Sequence, residues 1–323
     1  MVSLAAELTG AKLIKGASPS KFRKALSQIF RRAKGIRATE SCLLICAGPA
    51  DLTNVMSVQG WRTRFKYLAA WIIDSFWLDH LSNSIRLANP FDQIFVTSCE
   101  DIDDWKKLLR SPVSWLPWGT DALRLGTGSG DRAWDVTRVG RQPPEWDDDA
   151  SASEAASRLG LLYRGRPSTD GMSAIQNHRS LMQVYGSSRY LLAFSNAVNP
   201  ESYTHPTREY LTGRWVDALA CGCTVAGVAP RGPGTARLLW EGATLELGGV
   251  GRSEGLQILR AAVNAWRPER ANFNYAMALR KLDWRWRFAE IANAYGENPP
   301  SLSEELVLLR ERVALTSMPL TEA

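Results

Sequence analysis

Strand-length apolar runs alternate with helix-length amphipathic segments along most of this chain, and no other feature restricts its fold so tightly. In the first half the runs are "SCLLICAG" (41–48), "LAAWIIDS" (68–75) and "QIFVTSCE" (93–100), the last followed by a helix through Trp105 to Leu109. The second half repeats the pattern with "DVTRVGRQ", "LGLLYRGR", "RYLLAFSN", "CTVAGVAP" and "ATLELG", with helices expected near 174–186, 212–221 and 253–266. Alternation of this kind belongs to parallel sheets whose strands are joined by helical crossovers. The Gly-rich stretch "LGTGSGDRAWD" interrupts it, as a connector does. The expected organisation is α/β with two Rossmann-like domains: 1–121, a linker at 122–133, a second domain at 134–281, and C-terminal helices over 282–323. At 323 residues and 45% hydrophobic content the chain supplies a core for each.

Several function classes drop out on composition. The five cysteines, Cys42, Cys46, Cys99, Cys221 and Cys223, sit among apolar or small residues and form no disulfide framework. Cys221 and Cys223 have no second pair or His cluster nearby, so no metal site is expected. The N-terminal stretch lacks the apolar core and cleavage site of a secretory signal, and the longest apolar run, "YLAAWIIDSFWL", is too short and too polar to span a bilayer. A cytoplasmic protein is expected.

The net charge of +6 is local. Residues 12–37 hold nine Lys or Arg and no acid, so the rest of the chain carries −3. Within "SKFRKALSQIFRRAKG", Phe22, Leu26, Ile29, Phe30 and Ala33 recur at helical spacing. This basic amphipathic helix reads either as a packed helix with a charged outer face or as a peripheral contact with an anionic membrane surface. No RNP, zinc-finger or helix-turn-helix pattern accompanies it, so no nucleic acid partner is expected.

In doubly wound sheets, ligands sit beyond the carboxyl ends of the strands. The residues there are Arg141, Arg164, Arg166, Ser195, Asn196 and the 207–214 loop. Neither dinucleotide nor P-loop fingerprint follows a strand, and "GTGSGD" at 126–131 resembles a phosphate loop by composition alone. The stretch "REYLTGRWVDALACGCTVAG" (208–227) is more specific. Thr212 and Gly213 open a helix whose unpaired N–H groups and dipole suit a phosphate, and Arg214 adds a charged fork. Asp217, one turn on, suits vicinal hydroxyls such as those of a ribose, and Glu209 is placed to reach a sugar beyond the phosphates. The competing explanation is dipole stabilisation by the two acids, with Arg214 pairing locally.

The stretch from Thr212 to Gly222 resembles the T-x-R-x-x-E-A-L-A-x-G signature of group 1 glycosyltransferases of the GT-B fold (family 4-like), with Asp217 in place of Glu. Glu209 and Asp217 are spaced like the paired acids of retaining members. "LPWGTD" (116–121) looks like the segment leading into the donor domain, "RVGRQ" (138–142) like its first strand, and "LDWRWRFAEIANAYG" (282–296) like the C-terminal helix that crosses back onto the first domain. The resemblance implies a nucleotide-diphosphate sugar as donor substrate and a sugar, lipid-linked or small-molecule acceptor, with no cofactor. It also implies Arg141 and Arg214 on the diphosphate, Asp217 on the ribose and Glu209 at the transferred sugar. The Lys usual after the strand Arg is absent, and Arg164 or Arg166 is the candidate replacement. The N-terminal half is short and has no Gly-rich loop after its first strand.

An inverting enzyme also needs a base for the acceptor hydroxyl. Asp74 and His80, from "IIDSFWLDHL", are the candidates beside Asp79. Two alternatives stand with this reading: a non-catalytic nucleotide-sugar-binding or scaffold homologue, and a fucosyltransferase-like GT-B enzyme, whose Y-V-T-E-K segment "EYLTGRWVDAL" also resembles.

Overall fold

The computed structural model describes residues 1–19, 38–168, 170–198, 200–201 and 204–316. The expected basic helix, residues 20–35, lies outside them. Among the described residues nine strands form two sheets, and the pairings within each are parallel.

The first sheet runs β1 (Glu40–Cys46), β2 (Phe65–Ile72), β3 (Gln93–Val96), β4 (Val113–Trp115), in that spatial order. A sheet laid down in sequence order by right-handed crossovers receives all its connections on one face. The core shows this: Leu68, Ala70 and Ile72 of β2 pack with Leu52, Met56, Trp61, Ile85 and Trp105, all from segments between strands. By the strand period, Ala69 and Trp71 point to the other face. That face is served by a later part of the chain, since Tyr67 meets the ring of Tyr295 at 4.8 Å and the Tyr295 hydroxyl donates to the Cys42 carbonyl. The short β4 follows the three expected strands; its three residues include the exposed Ser114, and no long apolar run marks it.

The second sheet has the order β6 (Tyr163–Arg164), β5 (Trp134–Arg138), β7 (Ser188–Phe194), β8 (Thr224–Val228), β9 (Thr244–Glu246). The chain steps from β5 to one side, then passes back to the other, which covers both faces with helices. Tyr190, Leu192 and Phe194 share one core with Val136, Trp146, Ala152, Leu256 and Leu259. On the other face, helix Gly213–Ala220 packs on helices Ala174–Gly186 and Glu269–Lys281. A strand buried on both faces reads as a continuous apolar run, which is why β7 and β8 stand out in the sequence.

The chain forms two compact units that interleave in sequence. One holds Val2–Pro117 and Arg287–Ser303; the other holds Met1, Trp118–Trp286 and Glu304–Ala323. Two expectations need correcting. Residues 122–133 are not a free linker but part of the second unit, because Ala122–Leu125 is helical, and a Cβ at Gly126 or Gly128 would strike Tyr275 or Asn272. The C-terminal region divides at 286/287, inside helix Trp284–Tyr295, and not at 282. The residues after the break belong to the first-sheet unit, and those from Glu304 to the second, where Glu305 accepts from Arg124 and Arg285.

Candidate functional site

The strand order of the second sheet reverses between β5 and β7, and open α/β sheets hold ligands at the carboxyl ends flanking such a reversal. A cleft lies there. Arg141 and Gln142 line it from the loop after β5, Ser195 and Asn196 from the end of β7, and Thr212 and Arg214 from the start of helix Gly213–Ala220. It encloses about 220 Å³, below the roughly 300–1,000 Å³ of pockets that bury an entire drug-sized ligand, so it fits one portion of a longer molecule.

Local chemistry builds each wall. Gly140 turns the chain after β5 at φ +73°, a conformation that favours glycine. The Arg214 Nη1 donates to the carbonyls of Arg141 at 3.0 Å and Val139 at 3.4 Å, clamping that turn against the helix start. Gln142, 2% exposed, donates to Val139 and Leu192 and stitches the turn to β7. Arg141 itself keeps its guanidinium at the cleft, 3.9 Å from Glu201.

At the helix start, Thr212 is the N-cap by backbone geometry, yet its Oγ1 makes no capping bond and is a buried hydroxyl with no partner among the described residues. Polar atoms buried this way are uncommon in folded proteins and mark sites where a ligand or water completes the set. Over Gly213 lies the Trp118 indole nitrogen, 3.3 Å from where a Cβ would stand. The opposite rim is the 204–210 loop. The His205 Nδ1 accepts from the backbone N–H of Thr207 and Arg208, and the Asn196 Nδ2 donates to the carbonyls of Arg208 at 2.7 Å and His205 at 3.4 Å.

The structure therefore brings Arg141, Thr212, Gly213 and Arg214 together and treats the other expected residues differently. Arg214 reaches the cleft, but one arm of its fork is spent on backbone, so it positions the Arg141 turn as well as adding charge. Glu209 lies beside the cleft with one oxygen engaged: Oε2 accepts from the Ser195 hydroxyl at 2.5 Å and the Arg231 amide at 3.2 Å. Asp217 is outside the cleft lining, and its Oδ2 is 3.2 Å from the His178 Nε2. That carboxylate raises the pKa of His178 above its ordinary value by accepting its hydrogen bond. Arg164 is withdrawn from the cleft: β6 is the edge strand, and the guanidinium stands over the Trp134 ring at 5.9 Å. Arg166 donates to the Gly140 carbonyl and pairs with Asp147.

Asp74 and His80 belong to the first-sheet unit. Asp74 follows β2, its amide bonded to the Ala47 carbonyl, and burial raises the pKa of its carboxyl. His80 is exposed, stacked on Trp77 with ring centroids 5.0 Å apart, and 3.7 Å from Asp79. Among the described residues no group of three or more His, Cys, Asp or Glu stands together as a metal site, and no helix is long and apolar enough to cross a membrane.

What the fold and cleft define is a two-unit parallel α/β protein with a ligand crevice at the switch point of its five-stranded sheet. No protein-family model matches the chain, and no curated protein matches it by sequence. Among solved structures it is similar to the pneumococcal O-GlcNAc transferase GtfA, solved in complex with UDP and GlcNAc: 12% identity over 84% of this chain and 59% of that one, TM-score 0.47. It is also similar to the lipopolysaccharide outer core galactosyltransferase WaaB, at 14% identity over 85% of this chain and 77% of the other, TM-score 0.46. A third is S. aureus TarM, at 10% identity over 85% and 55%, TM-score 0.41. The chain thus spans 59% of the length of GtfA and 55% of TarM.

Proposed function

We propose that this chain is a GT-B-type glycosyltransferase that takes a nucleotide-diphosphate sugar in the switch-point cleft. The observation that carries the reading is the meeting, in one crevice, of the Arg141 cation, the start of helix Gly213–Ala220 whose N-cap side chain makes no capping bond, and the Thr212 hydroxyl. These are the groups that stabilise a departing diphosphate by preorganised electrostatics, with no metal required. Glu209, held by Ser195 and the Arg231 amide, is the residue at the transferred sugar, and its pairing with Asp217 along the chain favours retention of configuration. Asp217, oriented by His178, takes the ribose. The first-sheet unit carries the acceptor, a glycan, lipid-linked or small-molecule hydroxyl, with Asp74 as its proton acceptor in an inverting scheme. Its burial-raised pKa makes it a stronger base than an ordinary carboxylate, whereas exposed His80 is the weaker candidate. We assign the protein to the cytoplasm, with residues 12–37 as its contact with an anionic membrane surface.

A second reading is a nucleotide-sugar-binding subunit without transferase activity. It is favoured by the first sheet, whose strands among the described residues run in sequence order, without the reversal that makes a crevice. A thermal-shift panel of nucleotides and nucleotide sugars tests both. A ligand at a hundredfold excess over Kd adds about 2.7 kcal/mol to stability. At least one nucleoside diphosphate is expected to raise Tm; if none does, both readings fail. Slow hydrolysis or transfer of the bound donor separates the transferase from the binding subunit.

A further inference from the structure

The Gly-rich stretch "GTGSGD" (126–131) leads into β5, and helix Ala174–Gly186 leads into β7. A cavity of about 530 Å³ lies between them, within the roughly 300–1,000 Å³ of small-molecule sites. Ala133 and Ser187, which immediately precede the two parallel strands, both line it, so it sits at the opposite end of the sheet from the switch-point cleft. The alternation of glycine with polar residues builds one wall. A Cβ at Gly126, Gly128 or Gly130 would strike Tyr275, Asn272 or Pro268, so the glycine edge is pressed on helix Glu269–Lys281 and its N-cap. The intervening Thr127, Ser129 and Asp131 all line the cavity. The Thr127 Oγ1 accepts from the Ser129 amide and the Ser129 Oγ from the Asp131 amide, both at 3.2 Å, which leaves each hydroxyl its proton to donate. On the facing wall Arg179 and Gln183 stand one helical turn apart. The side chains of Asp131, Arg179 and Gln183 are exposed and make no hydrogen bond or ion pair among the described residues, so a ligand entering from solvent meets them directly.

Charge does not select an anion here. Arg124 also lines the cavity but is held by Glu305 at 2.8 Å, and the Arg179 cation is balanced by the Asp131 carboxylate. What faces the cavity is a mixture of donors and acceptors: a guanidinium, a carboxylate, a primary amide and two hydroxyls, beside the apolar side chains of Leu125 and Met182. Planar groups with paired donors or acceptors bond adjacent hydroxyls two at a time, and the C–H face of a pyranose ring suits the apolar patch. We propose that this cavity is a second ligand site, which takes one or two units of a neutral carbohydrate through its hydroxyl groups. It is separate from the nucleotide cleft and does not depend on the reading given to that cleft.

The test is saturation-transfer NMR of the full chain with glucose, galactose, mannose, N-acetylglucosamine, maltose and lactose, without nucleotide, followed by titration of the sugars that bind. At least one is expected to bind, with an affinity that added salt leaves unchanged, as befits an uncharged ligand. Asp131→Ala is expected to weaken that binding about tenfold and Gln183→Ala about threefold. Both residues are exposed, so neither change should move Tm, and Arg141→Ala in the cleft should bind the sugar as the native chain does. Three results would overturn the inference: no binding of any of these sugars, binding lost in Arg141→Ala but kept in Asp131→Ala, or inorganic pyrophosphate bound more tightly than any sugar and released by Arg179→Ala. None of them bears on the nucleotide-sugar reading, which stands or falls on the nucleotide panel.

Discussion

Arg214 and Arg141 share the cleft yet answer to different forces. Arg214 bridges two backbone carbonyls, so Arg214→Ala is expected to lower the stability of the unliganded protein by about 1–2 kcal/mol and to weaken nucleotide diphosphate binding as the Arg141 turn loosens. Arg141 lines the cleft and faces the partly exposed Glu201 at 3.9 Å, so Arg141→Ala should weaken binding and lower Tm less than Arg214→Ala does. Melting curves and calorimetric titration of the two variants separate these outcomes, and equal Tm losses would contradict the assignment. His178 adds a pH signature. Its folded-state pKa is raised, so its bond to Asp217 contributes fully below the ordinary histidine value and fades as pH rises through the folded value. The Tm advantage of the native chain over His178→Gln should therefore shrink from mildly acid toward alkaline pH, whereas a constant gap would exclude the linkage. The helix start at Thr212 and Gly213 was readable because capping and dipole chemistry are local. The His178 bond to Asp217 spans 39 residues and two helices, and no periodicity announces it.

At the scale of elements, the strands were the readable part. Those buried on both faces are unbroken apolar runs, and the run sets the element whatever its neighbours do. What such runs do not encode is order. Nothing in "LGLLYRGR" says that it takes the edge, yet that placement is what turns Arg164 toward Trp134 and away from the cleft. One contact inside the second sheet gives a sharp prediction. Gly227 on β8 has φ +150°, and a Cβ there would lie 1.7 Å from the Ala193 carbonyl oxygen of β7. Gly227→Ala ordinarily favours a folded chain by restricting the unfolded one, but here the backbone clash decides the sign. A loss of about 3 kcal/mol or more is expected in urea titration, and a neutral variant would show that β7 and β8 are less closely apposed.

For the whole molecule, each unit has a core of its own, and buried charge is concentrated in one of them. Arg285, wholly buried, reaches Asp283, Asp121 and Glu305, all within the second unit. Arg285→Met leaves the equally buried Asp283 without its cation, which costs about 3–5 kcal/mol. Chemical denaturation should then resolve two transitions, with the five-stranded unit unfolding first; a single transition at an unchanged midpoint would count against the unit assignment. The interleaving behind this division was the least readable feature. It depends on which late segment covers the second face of the first sheet; no periodicity around Tyr295 and Glu297 marks that destination, and only the resemblance of 282–296 to a helix that crosses back onto the first domain pointed to it. Ribosomes usually let domains fold in the order they emerge. Here β1 to β4 leave the exit tunnel first, but the tyrosine that packs on Tyr67 and bonds Cys42 is translated only after the whole five-stranded sheet. During synthesis the contacts that Tyr295 makes with Tyr67 and Cys42 are thus among the last of the first-sheet unit to form, long after its strands have been made.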